Sequence, residues 1–140
     1  MVHALKEIWR VLVPGGLLLD LRPIAGNWPV EVVEGEKVTP AGPIDDAPSL
    51  PIDTASNESL VEAGREGWFT REREASFDFF FYWDAADEMK AFIDEKWVPD
   101  ACLPDEVLAE ARRLMAGGEG RRVRVRVNMV ISRWRKRLES

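Results

Sequence analysis

The chain has 140 residues, of which 46% are hydrophobic and 9% aromatic, a composition typical of one globular domain rather than a disordered chain. With 19 basic and 25 acidic side chains the formal net charge is −6, so the chain as a whole repels nucleic acid and anionic lipid. The single cysteine excludes an intrachain disulfide and favours a reducing cytoplasm. We therefore expect a cytoplasmic protein, with no membrane anchor and no signal peptide.

The first part of the chain predicts a helix, a tight turn and a strand. Within residues 2–13 the apolar side chains recur at the spacing of one helix face: Ala4, Leu5, Ile8, Trp9 and Leu12. Pro14-Gly15-Gly16 ends this helix. Leu17 to Leu21 then form an apolar run interrupted only by Asp20, which is typical of a strand covered on both faces in a parallel sheet.

Prolines dominate the next segment. Residues 22–52 contain six of them and are predicted to be largely irregular, because proline interrupts helices and central strands alike. A small hairpin over residues 30–38 is compatible with the alternating valines there. Asp53 or Ser56 is expected to cap a helix that runs to about Glu62.

Two long strands are predicted in the second half. Residues 68–83 alternate with period two, and the aromatic residues of this strand are expected to lie in the core. Asp84 with Asp87 resembles a capping pair for one helix, and Pro104 suits the start of another. The final strand is expected to have one apolar face, which is formed by Val123, Val125, Val127, Met129 and Ile131.

The segment Ala4–Asp20, ALKEIWRVLVPGGLLLD, resembles the helix, Pro-Gly-Gly turn and fifth strand of class I, Rossmann-like S-adenosylmethionine-dependent methyltransferases. Leu60–Gly64 resembles the end of the helix before that family's sixth strand, and the last third, through Met129–Trp134, resembles its antiparallel sixth and seventh strands. The resemblance implies an α/β fold over residues 1–140 as a single domain. We expect a partial Rossmann-like methyltransferase fold, with a small mixed sheet, antiparallel C-terminal strands and packed helices.

The same resemblance implies that the cofactor-binding half of the family lies outside this sequence. In the family, the first strand, its glycine-rich turn and an acidic residue after the second strand hold S-adenosylmethionine, and no such segment precedes Met1. Gly15-Gly16 does not replace that turn, because it follows a helix and leads into a strand, the reverse of the order that a nucleotide-binding turn requires. We therefore expect this chain alone to bind no cofactor.

Asp20 and Arg22 are the first candidate site residues. They lie at the carboxyl end of the predicted strand, where open α/β sheets usually bind ligands, and the resemblance implies a substrate-facing position. The alternative is that Asp20 only caps or pairs locally with Arg22. Trp28, in the irregular segment, is a third candidate contact for a substrate or partner.

The remaining reactive side chains predict neither catalysis nor a metal site. His3 is the only histidine, which excludes a histidine-based triad and a multi-histidine metal site within one chain. Cys102 is expected to act as a small buried hydrophobe, because no histidine lies near it in sequence. Asp45 and Asp46 are expected to be solvated.

A basic row near the C-terminus has two interpretations. Its members are Arg121, Arg122, Arg124, Arg126, Arg133, Arg135, Lys136 and Arg137. Such a row can bind nucleic acid. We favour neutralisation instead, because Glu72, Glu74 and Asp78 would lie opposite the row if the two long strands pair in antiparallel fashion.

Three functions remain open at this stage. The chain is a methyltransferase-related subunit or substrate-recognition half, inactive alone, that binds a complementary half through the exposed edge of Leu17–Leu21. It is otherwise a non-enzymatic homodimeric binding module joined through that edge, or a truncated form of a complete methyltransferase. The three differ in the partner that they require.

Overall fold

The computed structural model describes residues 2–138, which form an α/β structure of helices and a five-stranded sheet. The helices are α1 (Val2–Val11), α2 (Leu50–Arg65), α3 (Ala86–Lys96) and α4 (Asp105–Ala116). The strands are β1 (Leu17–Pro23), β2 (Pro29–Glu34), β3 (Lys37–Pro43), β4 (Phe69–Trp83) and β5 (Arg122–Lys136). None of the described helices is both long and apolar enough to cross a membrane.

The sheet is antiparallel throughout residues 2–138, whereas the sequence predicted a mixed sheet. β5 pairs with β1 through its second half, from Leu17 opposite Arg135 to Pro23 opposite Met129. Its first half pairs with β2, which forms the predicted hairpin with β3. β4 runs against β5, since Glu72 meets Arg135 and Asp78 meets Arg126. The mixed sheet would need a strand that runs parallel to β1 and pairs with it, and residues 2–138 contain no such strand.

The chain divides into two compact units. The first unit comprises residues 2–24, 51–77 and 129–138, and the second comprises residues 25–50 and 78–128. In the first unit α1 and α2 pack on the sheet through a cluster of buried residues, because the apolar stripe of each helix faces it. That cluster contains Leu5, Leu60, Ala63, Phe69 and Trp134, with Leu18 of β1 packed against it.

The second unit is built from the hairpin, α3, α4 and the adjoining parts of β4 and β5. Its buried residues include Val30, Val32, Met89, Ile93, Leu108, Val123 and Val125. The aromatic residues of β4 are only partly in this core, contrary to the sequence prediction. Phe81 and Trp83 pack on Phe92, but Phe77, Phe79, Phe80 and Tyr82 are 36–48% exposed.

Three helix starts differ from their predictions. A short 3-10 turn at Ala47–Ser49 leads directly into α2, which therefore begins at Leu50 rather than at Asp53 or Ser56. α4 starts one residue after Pro104, which occupies the N-cap position. α3 has Ala85 at its N-cap with no side-chain cap, because the carboxylates predicted to cap it bind arginines instead: Asp84 binds Arg122 and Asp87 binds Arg112.

The buried residues of β5 change parity along the strand. Val123, Val125 and Val127 are buried, but from Val130 onwards it is the even-numbered residues that are buried. Met129 and Ile131, which were predicted to share a face with these valines, are only half-buried. In the first unit the even-numbered residues of β5 lie across from Leu18 and Asp20 of β1 and face the cluster beneath the helices.

Candidate functional site

β1 exposes one of its two faces. Leu17, Leu19 and Leu21, which we call the leucine face, are 45%, 61% and 55% exposed. Alternate residues of a strand point to opposite faces, so the three lie side by side. The prediction that this strand is covered on both faces was wrong, because within residues 2–138 the helices of the first unit pack against the other face, through Leu18.

One long edge of β1 is also free in the described chain. β5 is the only strand of residues 2–138 that pairs with β1, so β1 stands at the end of the strand order. The outward backbone N–H and C=O groups of such an edge strand are available to pair with another chain. β1 therefore combines a free edge with an exposed apolar face.

The other face of β1 carries two of the candidate site residues. Arg22 donates from Nε to the Asp20 carboxylate at 2.9 Å, so the local ion pair that the sequence allowed is present. The Nη2 atom of Arg22 donates to Oδ1 of Asn57 on α2 at 2.8 Å. Both charged side chains are more than four-fifths buried, which holds this pair in a defined geometry at the carboxyl end of the strand.

Trp28, the third candidate, lies in the second unit and is buried. It is 8% exposed, and its ring packs edge-on against Trp97 at 5.5 Å between centroids. Its backbone carbonyl accepts a hydrogen bond from the Ile44 amide at 2.8 Å. The structure thus assigns Trp28 to packing and leaves little of its ring for a ligand.

Most of the arginine row is paired with carboxylates. Glu72 accepts from Arg135 at 2.7 Å and lies 3.2 Å from Arg133, and the hydrogen bond from Arg135 holds the pKa of Glu72 below its ordinary value. Asp78 lies 3.9 Å from Arg126. Glu74 departs from the prediction and pairs with Arg71 of its own strand at 3.2 Å.

A buried carboxylate that the sequence interpretation missed completes this neutralisation. Glu31 of β2 is 7% exposed and lies directly opposite Arg124 in the pairing of β2 with β5. It accepts from Nε of Arg124 at 3.0 Å and from Nη2 of Arg126 at 3.4 Å. The sequence feature that could have identified Glu31 is its position between Val30 and Val32 in the predicted hairpin. This position becomes informative only when the partner strand is known.

The other polar residues considered as candidates, Asp45, Asp46 and Cys102, have structural contacts. Asp46 is 2% exposed, contrary to the expectation that it is solvated, because it accepts from the amides of Gly26 and Asn27. Cys102 is partly buried and pairs through its backbone with Asp45. Across residues 2–138 no three His, Cys, Asp or Glu side chains are grouped to hold a metal ion.

The Gly15-Gly16 turn, which joins α1 to β1, does not have the form of a nucleotide-binding turn. Gly15 has a φ of +77°, and a Cβ on Gly16 would lie 2.9 Å from the Val13 carbonyl oxygen. The two glycines therefore let the chain reverse tightly between α1 and β1. Since the helix precedes the strand, no helix N-terminus faces this turn to receive a nucleotide.

Comparison with known proteins identifies no relative. The chain matches no protein-family model, no curated protein and no solved structure.

Proposed function

We propose that this chain is the C-terminal half of a class I, Rossmann-like S-adenosylmethionine-dependent methyltransferase fold, and that it is inactive alone. It acts as a subunit or substrate-recognition half, to which a separate cofactor-binding half docks. The observation that carries the proposal is β1, whose leucine face is exposed and whose outer edge is free. A further strand and a layer of helices would cover both.

Burial of the leucine face would contribute favourably to docking at β1. Complete burial of a leucine side chain stabilises by about 1.5–3 kcal/mol, and each residue of the leucine face has about half of its surface still to bury. Covering the three would therefore contribute about 3 kcal/mol. Backbone pairing along the free edge adds to this and fixes the register of the partner strand.

The order of elements supports the methyltransferase relationship. α1 ends at Val11, the chain turns at Pro14-Gly15-Gly16, and β1 begins at Leu17. This is the helix, turn and strand that the resemblance of Ala4–Asp20 implies. The two long strands β4 and β5 follow later and are antiparallel to each other, in agreement with the family's last two strands.

Asp20 and Arg22 are the residues that we propose for substrate contact. They lie at the carboxyl end of β1, and Asn57 and the ion pair hold Arg22 in place. A guanidinium positioned in this way suits an acceptor that carries a carboxylate or phosphate. Trp28 is not part of this proposed site, because it is buried in the second unit.

Site-specific photo-crosslinking tests the proposal. A photoreactive phenylalanine analogue replaces Leu19 in the full chain, expressed in its native cells, and mass spectrometry identifies the adduct. The matched control places the same analogue at Ala109, an exposed position on α4. We expect an adduct from position 19 alone, with a protein that contains a glycine-rich turn between a strand and a helix.

Two outcomes of this experiment would overturn the proposal. Adducts between two copies of the chain from position 19 would instead favour a homodimeric binding module. Equal adduct yields from positions 19 and 109 would mean that β1 is not a docking surface.

A further inference from the structure

The exposed face of the first unit's sheet contains a hollow with an apolar floor. Leu19, Ala75 and Ile131 line it together with Arg73 and Arg133, and its volume is about 290 Å³. Leu19 lies opposite Arg133 and Leu21 opposite Ile131 in the pairing of β1 with β5. Directly opposed residues present their side chains on the same face, so the hollow continues the leucine face.

The rim of this hollow is positively charged, although the whole chain is negative. Arg73 has no ion-pair partner among residues 2–138, and Arg133 and Arg135 share the single carboxylate of Glu72. Arg73 and Arg133, which line the hollow, and the neighbouring Arg135 thus have one carboxylate among them, on a chain whose formal charge is −6. A partner with carboxylates at this rim would form ion pairs with arginines that the described chain leaves incompletely paired.

The width of the face matches one helix. In the first unit β1, β5 and β4 lie side by side, and neighbouring strands are about 4.8 Å apart, so the three span about 10 Å. A helix with its side chains is about 10–12 Å across. A sheet face with apolar side chains is commonly covered by a helix that lays its apolar stripe on it.

We infer that this face receives an amphipathic helix with acidic residues beside its apolar stripe. The helix belongs to the partner whose docking at β1 is proposed above, and the inference rests on that proposal. Its apolar stripe covers the leucine face and Ile131, and its acidic residues meet Arg73 and Arg133. The rim arginines therefore select the partner by charge.

Two synthetic helical peptides test this inference. Both carry the same leucine stripe, and the residues beside the stripe are glutamates in one peptide and lysines in the other. Fluorescence anisotropy measures binding of each labelled peptide to the full chain. We expect saturable binding of the glutamate peptide, with a Kd at least about tenfold lower than that of the lysine peptide.

Variants of the chain test which residues cause the preference for the glutamate peptide over the lysine peptide. Arg73→Glu should reverse or abolish the preference for the glutamate peptide, and Leu19→Glu should weaken binding of both peptides. Arg65→Glu is the matched control, because Arg65 is an exposed arginine of α2 in the same unit and lies outside this hollow. It should leave the ratio of the two affinities unchanged.

The inference fails if neither peptide binds, if both bind equally, or if Arg73→Glu leaves the preference intact. These failures are distinct from failure of the proposed function. A cofactor-binding half crosslinked at Leu19, together with no peptide preference, would retain the docking proposal and remove only the acidic helix. A peptide preference with no such crosslink would retain the charged docking surface and remove the methyltransferase assignment.

Discussion

Glu31 shows how a single residue holds two others in place. It is buried in β2 and pairs with both Arg124 and Arg126, so each of these arginines gains a partner that the sequence prediction did not supply. Arg124 also lies over the Phe80 ring at 4.5 Å. Glu31 thus keeps Arg124 against the aromatic side chains of β4, and it reduces the positive charge that nucleic acid would need.

Removing Glu31 should cost far more stability than removing its neighbour Glu34. Glu31→Ala leaves Arg124 largely buried without its carboxylate, and we expect a loss of about 3 kcal/mol in the free energy of unfolding. Glu34→Ala, on the same strand, removes a half-exposed pair with Arg121 and should cost less than about 1 kcal/mol. Urea unfolding of both variants measures the difference, and similar losses would contradict this account of Glu31.

Glu72 makes the stability of the protein depend on pH in the acidic range. Its pKa is below the ordinary value of 4.5, because Arg135 hydrogen-bonds to the carboxylate and Arg133 adds to the effect. The folded state therefore binds a proton at Glu72 less readily than the unfolded state. The resulting stabilisation is complete above the unfolded pKa and is lost as the pH falls through the folded one.

Glu72→Gln tests this pH dependence. At neutral pH the variant should be less stable than the wild type, and the difference should shrink as the pH falls below 4.5. Urea midpoints across this range provide the measurement. In an Arg135→Gln background the effect of Glu72→Gln should be smaller. A difference that stays constant with pH would show that the Glu72 carboxylate is not stabilised by its charge.

At the scale of the elements, β1 and β4 are two of the edge strands of the described sheet and differ in the side chains that they present. β1 presents leucines, whereas the outer strand β4 alternates Arg71, Glu72, Arg73 and Glu74. Charged side chains on an edge strand disfavour its pairing with another strand, whereas an exposed apolar face such as that of β1 favours contact with a partner.

The packing of α4 on β3 depends on the absence of a side chain at Gly42. Its φ is +136°, and a Cβ there would lie 2.8 Å from Cγ2 of the buried Val107. Gly42→Ala should therefore combine backbone strain with about 1–3 kcal/mol of overpacking. Gly35→Ala, at the hairpin turn, meets no atom within 4 Å and should cost only about 1 kcal/mol of strain. Thermal or urea unfolding compares them, and equal losses would contradict the close contact with Val107.

Periodicity in the sequence predicted which elements exist but not which of their faces are covered. The helix before Pro14, the hairpin, β4 and β5 were all predicted from local spacing and turn residues. The burial of the leucine face was predicted wrongly, because an apolar run does not show whether a neighbour is present to cover it. Likewise, Asp84 and Asp87 were expected to cap α3. Their pairing with arginines could not be predicted, because these arginines are distant in sequence.

The candidate site was predictable to a similar extent. The local pair of Asp20 and Arg22 follows from their spacing on one face of a strand, and the structure contains it. Asn57 and Glu31 were not identified, because both act across elements that only the tertiary structure brings together. Trp28 was a candidate for contact with a substrate or partner because it lies in an irregular segment, and the structure buries it beside Trp97.

At the scale of the whole molecule, residues 2–138 are characterised by the elements that they contain and by the surfaces that they leave uncovered. They contain a helix, a turn and a strand in the order of a methyltransferase's fifth strand, and no strand-to-helix glycine turn suited to a nucleotide. They leave uncovered the leucine face, its arginine rim and the outer edge of β1. The proposed function requires that a partner half supplies the cofactor site.

Isothermal titration of the purified, size-checked chain with S-adenosylmethionine and with S-adenosylhomocysteine tests this account most directly. The account predicts no saturable heat of binding for either compound, because the cofactor site belongs to the partner half. Saturable binding, at one molecule per chain or one per dimer, would contradict it and would place a cofactor site within these residues.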